Sequence, residues 1–169
     1  LYDIIKGETI GLRAFLYFDL LRMFGPVYQE NSSSPSIPYR TEFNRDVAKL
    51  APANQVVDSI ISDLKTAEIL LENDPMNIVF NPGYVPTGFL DNRFNRMNKY
   101  AVRALLARVY LWKGDKTNAA QKAQEVIDAE KSSGAKQFAL ITDNTQDKLG
   151  STELIFALNM DSETFAVVI

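Results

Sequence analysis

Apolar and polar positions alternate with a changing rhythm along this chain, and each change marks an element. Residues 1–24 are the densest apolar stretch: Ile10, Ala14, Phe15, Phe18, Leu21 and Met23 lie near helical spacing. Leu12, Leu16, Tyr17, Leu20 and Phe24 fill the remaining faces, a nearly all-round pattern that predicts a helix with neighbours on several sides. Gly25-Pro26 ends it, because proline cannot donate to the helical ladder and restricts the residue before it. A second helix is predicted from about Pro52 to Leu71. Val57, Ile60, Ile61, Leu64, Ala67 and Leu71 draw one apolar stripe, and Pro52 suits a first turn. Asn98 is placed to cap a third helix carrying Ala101, Ala104, Leu105, Arg108 and Trp112 on one side. After the turn at Gly114-Asp115, a fourth helix runs through Ala119, Ala120, Ala123, Val126 and Ile127, with Gly134 as its expected stop.

Two long irregular loops separate these elements, one at 27–52, rich in Ser, Pro and Asn, and one at 75–97, rich in Pro, Asn and Gly. Glu153–Leu158 is a short apolar run whose state periodicity does not fix, and an extended strand is the reading preferred here. The expected fold is all-α, a right-handed stack of helical hairpins with long irregular loops. The chain reads as a single helical domain over 1–169. Its core should include Phe15, Phe18, Leu21, Ile60, Ile61, Leu64, Leu105, Leu106, Val109, Ala123 and Val126. The hairpin at 98–130 resembles a tetratricopeptide repeat: Leu106, Ala107, Tyr110, Ala119 and Ala120 stand near that repeat's signature spacing.

Composition narrows the chemistry. There is no Cys and no His, so thiol catalysis, disulfides, the Ser-His-Asp triad and His- or Cys-based metal sites are excluded. No metal and no cofactor are expected. The net charge of −3 gives no global attraction to nucleic acid. No run approaches the roughly 20 apolar residues of a membrane span, and no basic start leads into a signal core. Leu1 in place of Met, and the apolar end Phe165–Ile169, read as the cut ends of a piece of a longer protein.

Four blocks together carry a family resemblance. They are Gly7-Glu8-Thr9-Ile10-Gly11-Leu12-Arg13-Ala14-Phe15 running on to Gly25, Val57–Ala67, Asn98–Leu111 with Gly114-Asp115, and Ser151–Leu158. In this order they resemble the scaffold of the SusD/RagB family. The resemblance implies a non-catalytic, lipid-anchored protein on the outer surface of Bacteroidetes cells. Such a protein captures glycans or other oligomeric nutrients for uptake through a SusC-like TonB-dependent outer-membrane transporter. The family's lipidated Cys and most of its C-terminal half are absent from this sequence, so those properties attach to the longer protein. The competing reading is a tetratricopeptide-like scaffold that binds only another protein.

The matched blocks are scaffold, so no ligand residue transfers from them. Aromatic rings in the 75–97 stretch supply the candidates, because a ring face stacks on the C–H face of a sugar: Tyr84, Phe89 and Phe94. Trp112 lies in the hairpin, where packing is the usual role of such a ring. Arg93, Arg96, Lys99 and Arg103, at spacings of 3, 3 and 4, read as a solvated basic face or else as a patch for an anion. Asp19, Asp58, Asp63 and Asp128 read as solvated helix-face carboxylates, and no pair of them forms a recognisable acid–base site. Asp143–Asp147 lacks the Gly and Glu of a calcium loop.

Overall fold

The computed structural model describes residues 1–75, 88–91, 93–131, 133–141 and 152–157. Its helices are α1 (Tyr2–Phe24), the short α2 (Tyr28–Asn31), α3 (Ala53–Leu70), α4 (Lys99–Lys113) and α5 (Lys116–Ile127), with a 3-10 turn at Arg93–Asn95. Among the described residues no strand forms, and pairing is confined to the isolated bridges Pro35–Pro52 and Glu130–Lys136. The all-α expectation is met. No described helix is long and apolar enough to cross a membrane.

α3 holds the centre. Its stripe of Val56, Val57, Ile60, Ile61, Leu64 and Ala67 is buried between α1 on one side and α4 on the other. Each large side chain so buried contributes roughly 1.5–3 kcal/mol before entropy is counted. α5 folds back on α4 as the second arm of a hairpin. The turn works because Gly114 takes φ 91°, a left-handed conformation that costs glycine little. Asp115 then caps α5 by accepting from Asn118 N at 3.1 Å. Asn98 caps α4 as expected, its Oδ1 accepting from Tyr100 N at 3.0 Å and Ala101 N at 2.9 Å.

Four expectations need correction. α1 is buried on one face only, through Ile4, Gly7, Gly11, Ala14, Phe18 and Leu21, while Ile5, Leu12, Leu16, Leu20 and Met23 are exposed. Phe15 and Ala123, expected in the core, are half-buried. α5 stops at Ile127 rather than near Gly134, which instead takes φ 80° in the small turn between Glu130 and Lys136. The apolar run expected to be a strand is turn and irregular chain over 152–157. Among the described residues it meets no strand edge, and its backbone bonds are single ones, as when Ala157 N donates to Phe94 O at 2.9 Å.

The loop at 27–52 is closed at its neck, where Ser36 N donates to Ala51 O at 2.8 Å and Ala51 N to Ile37 O at 3.2 Å. Residues 38–50 therefore form an Ω-like excursion whose ends meet.

Candidate functional site

The base of the 75–97 stretch is built from the small residues of α1. A Cβ at Gly7 would lie 2.7 Å from Leu71 Cγ, and one at Gly11 would lie 2.7 Å from Met97 Cγ. Glycine at both positions lets α1 approach closely enough for Glu8, between them, to reach across to Arg93. Arg93 is 0% exposed. Its Nη1 donates to Glu8 Oε1, its Nη2 donates to Asp74 Oδ2 at 2.8 Å, and its Nε stands 2.7 Å from Asp74 Oδ1. Arg96 Nη1 donates to the other Glu8 oxygen at 3.0 Å. Burial alone would lower the Arg93 pKa, but its bonds to Asp74 and Glu8 outweigh that and raise it, so the guanidinium stays charged in the interior. Asn98 completes the knot, donating from Nδ2 to Arg93 O at 3.1 Å and Ile155 O at 2.8 Å.

This overturns the solvated-face reading of the basic run. Arg93 is a buried structural cation, and Arg103 is partly buried against Glu68, its Nε donating to Oε1 at 2.8 Å. Lys122 Nζ reaches the same Glu68 at 2.9 Å, so α3, α4 and α5 share one charged seam. Asp63 is likewise not a free surface carboxylate. It accepts from Arg13 Nε at 2.7 Å, from Arg13 Nη2 at 2.9 Å and from the Tyr39 hydroxyl at 2.6 Å. Burial first, and then the bond to Asp63, push the Tyr39 phenol well above its ordinary pKa. Tyr39 also stacks on Tyr17 with ring centroids 4.4 Å apart, and the Tyr17 hydroxyl accepts from Arg40 N at 3.0 Å. The Ω-like loop is thus pinned to α1 and α3.

Of the three candidate rings, Tyr84 lies outside the described residues. Phe94 is 8% exposed in the 3-10 turn and offers no open face. Phe89 is 40% exposed, and the Arg96 guanidinium lies 3.8 Å from its ring centroid. The two described rings do not form one platform, since Phe94 is buried and Phe89 lies against Arg96. Trp112 packs, with its ring 5.9 Å from Phe18 and 4.9 Å from Tyr28.

A cleft of about 330 Å³ opens elsewhere, between α1, α4 and residues 153–156. Phe15 and Phe156 meet edge to face in its wall with centroids 6.1 Å apart, and Arg108 and Glu153 supply its charged groups. Glu153 is partly engaged, accepting from Ile141 N at 2.5 Å. Sequence reasoning missed this constellation. Its one local signal is Arg108, a lone cation in the otherwise apolar column of Ala101, Leu105 and Trp112. Among the described residues no three carboxylates gather to hold a metal ion.

Comparison with known proteins places this architecture. Residues 2–111 match the SusD-like model described as starch-binding, associating with outer membrane. The SusD-like protein P2 of Formosa agariphila is 31% identical over 130 residues, which cover 75% of this chain and 21% of that protein. The crystal structure of a SusD superfamily protein from Bacteroides thetaiotaomicron superposes on 97% of this chain and 33% of its own length, with TM-score 0.72 and 22% identity. A laminarin binding SusD-like protein superposes on 83% of this chain and 28% of its own, with TM-score 0.55 and 24% identity. The chain thus spans between about a fifth and a third of the length of these relatives. The match over α1, α3 and most of α4 shows that this chain belongs to the SusD-like family.

Proposed function

We propose that the chain is the helical scaffold of a non-catalytic glycan-capture protein. The longer protein is lipid-anchored on the outer surface of the outer membrane and passes oligosaccharides to a SusC-like TonB-dependent transporter. The observation that carries this reading is the family match across residues 2–111, whose description joins starch binding to the outer membrane. The laminarin-binding neighbour of the same fold supports a glucan as the ligand class.

Geometry supports a division of labour between this scaffold and the rest of the longer protein. A tight sugar site needs several rings and polar groups converging from different segments. Of Tyr84, Phe89 and Phe94, we place Phe89 at the edge of such a site, where its ring would stack and Arg96 would donate to hydroxyls. That is one side of a site at most. Residues 1–169 alone should therefore bind glycans weakly, while the longer protein binds them well. Calorimetry with starch and β-1,3-glucan oligosaccharides tests this on both proteins. Affinity confined to the longer protein supports the reading. Equal affinity in both would place the site within 1–169, and no heat from either would end the glycan proposal.

A further inference from the structure

The ring at position 89 is held by a chain of contacts that starts inside the scaffold. Phe89 sits on a tight turn, in which Asp91 N donates to Gly88 O at 3.2 Å and Gly88 N donates to Asp91 Oδ2 at 2.9 Å. Leu90, the next residue, packs on the core, whereas Phe89 is 40% exposed. One face of its ring is covered by the Arg96 guanidinium, 3.8 Å from the centroid. The exposure therefore belongs to the other face and the edges. A cation on a solvent-facing ring holds it only weakly by itself, and a free arginine side chain has many rotamers to lose. Arg96 needs a hold of its own if it is to fix the ring.

Glu8 supplies it. The two carboxylate oxygens are divided between two arginines, Oε1 accepting from Arg93 Nη1 and Oε2 from Arg96 Nη1 at 3.0 Å. Arg93 is itself fixed by Asp74, through Nη2 at 2.8 Å and Nε at 2.7 Å. The Asp74 and Arg93 side chains are fully buried, that of Glu8 is nearly so, and that of Arg96 is one-third exposed. Order therefore passes outward along one line of charges, from Asp74 through Arg93 and Glu8 to Arg96 and then to the ring. Charge-assisted bonds of this kind set the orientation of each guanidinium plane. Glu8 belongs to α1, whose backbone lies against Leu71 and Met97 at Gly7 and Gly11, so its own position is set by packing.

We propose that Glu8 is a positioning residue for the glycan site. It holds Arg96 against the Phe89 ring, so that a single, fixed face of the ring is offered to a sugar; the assignment rests on the placement of Phe89 at the edge of that site. A ring already held in place costs a ligand less ordering on binding. A ring with a guanidinium on one side cannot be enclosed between two sugars, so it serves as a one-sided platform for one face of a pyranose chain. Glu8 itself touches no ligand and acts through Arg96.

A para-fluorophenylalanine placed at position 89 alone in the longer protein reads the ring without any sugar, because it gives a single fluorine NMR signal. In native protein that signal should stand away from its position in urea. Glu8→Gln should move it most of the way back, Arg96→Gln should do the same, and the double substitution should add nothing to either. The same label at Phe18, in the core of α1, should keep its native signal throughout. An unmoved signal at Phe89 overturns the proposal. So does an equal movement at Phe18, which would make Glu8 a residue of general stability. If Glu8→Gln does not fold, Glu8→Asp, which keeps the charge but is too short to reach both guanidiniums, carries the same comparison. Calorimetry with starch and β-1,3-glucan oligosaccharides then measures the consequence. Glu8→Gln should weaken binding roughly fivefold with Phe89 in place and leave it unchanged in a Phe89→Ala background. Equal weakening in both backgrounds overturns the proposal, as does binding that Phe89→Ala does not diminish. If the ring signal responds as expected while the unsubstituted protein gives no heat, Glu8 keeps its hold on the ring and the glycan reading alone fails.

Discussion

The two faces of α1 are made of different residues for different reasons. The inner face carries Gly7, Glu8, Gly11 and Ala14, so close approach and one ion pair define it as much as Phe18 and Leu21 do. The outer face carries Ile5, Leu12, Leu16, Leu20 and Met23, which are larger and more uniformly apolar, yet exposed. Apolarity alone does not choose between the faces, since apolar side chains lie all round the helix. The comparison teaches that side-chain volume and a buried charge partner can fix which face packs inward, leaving larger apolar side chains exposed.

The sharpest way to break the inner face is Arg93→Met. It leaves Asp74 buried without its cation and Glu8 with Arg96 alone, and a loss of about 3–5 kcal/mol is expected in urea unfolding. Gly11→Val comes next, since its side chain would collide with buried Met97, with an expected loss of about 1–3 kcal/mol. Asn98→Ala removes the α4 cap and should cost about 1–2 kcal/mol by the same measurement.

Tyr39→Phe should cost about 1 kcal/mol at neutral pH, as one hydrogen bond to Asp63 is lost. It also has a pH signature. The folded phenol's pKa is raised above the ordinary 10.0, so its contribution is complete below that pH and is lost as pH rises above it. Stability measured above pH 10 should therefore fall more steeply in the parent sequence than in Tyr39→Phe. The smallest effect belongs to the outer face: Leu16→Gln should change the stability of residues 1–169 by no more than about 0.5 kcal/mol. A loss as large as that of Gly11→Val would erase the distinction between the two faces.

Much of this architecture is legible in sequence because it is local. The α3 stripe, the Asn98 cap and the Gly114-Asp115 turn each depend on residues within one or two helical turns of each other. What stayed hidden depends on distance along the chain. Arg93 shares helical spacing with Arg96 and Arg103 and looks like one of a solvated set, until Glu8, 85 residues away, is brought beside it. Asp63 hides its role in the same way, since its partner Arg13 is 50 residues distant. The three rings of the 75–97 stretch look alike in sequence. Phe94 is committed to the interior and Phe89 to an arginine, and no periodicity distinguishes such neighbours.

The span from Glu8 to Arg93 also sets a timetable for synthesis. The chain leaves the ribosome from its N-terminus, at roughly 5–20 residues per second. Because 85 residues separate the pair, α1 waits roughly 4–17 s for the cation that completes its inner face. During that interval its outer leucines and its unpaired Glu8 are both available to whatever is nearby. A helix with two sticky faces and a delayed lock is a natural client for a holding chaperone while the chain is still unfolded.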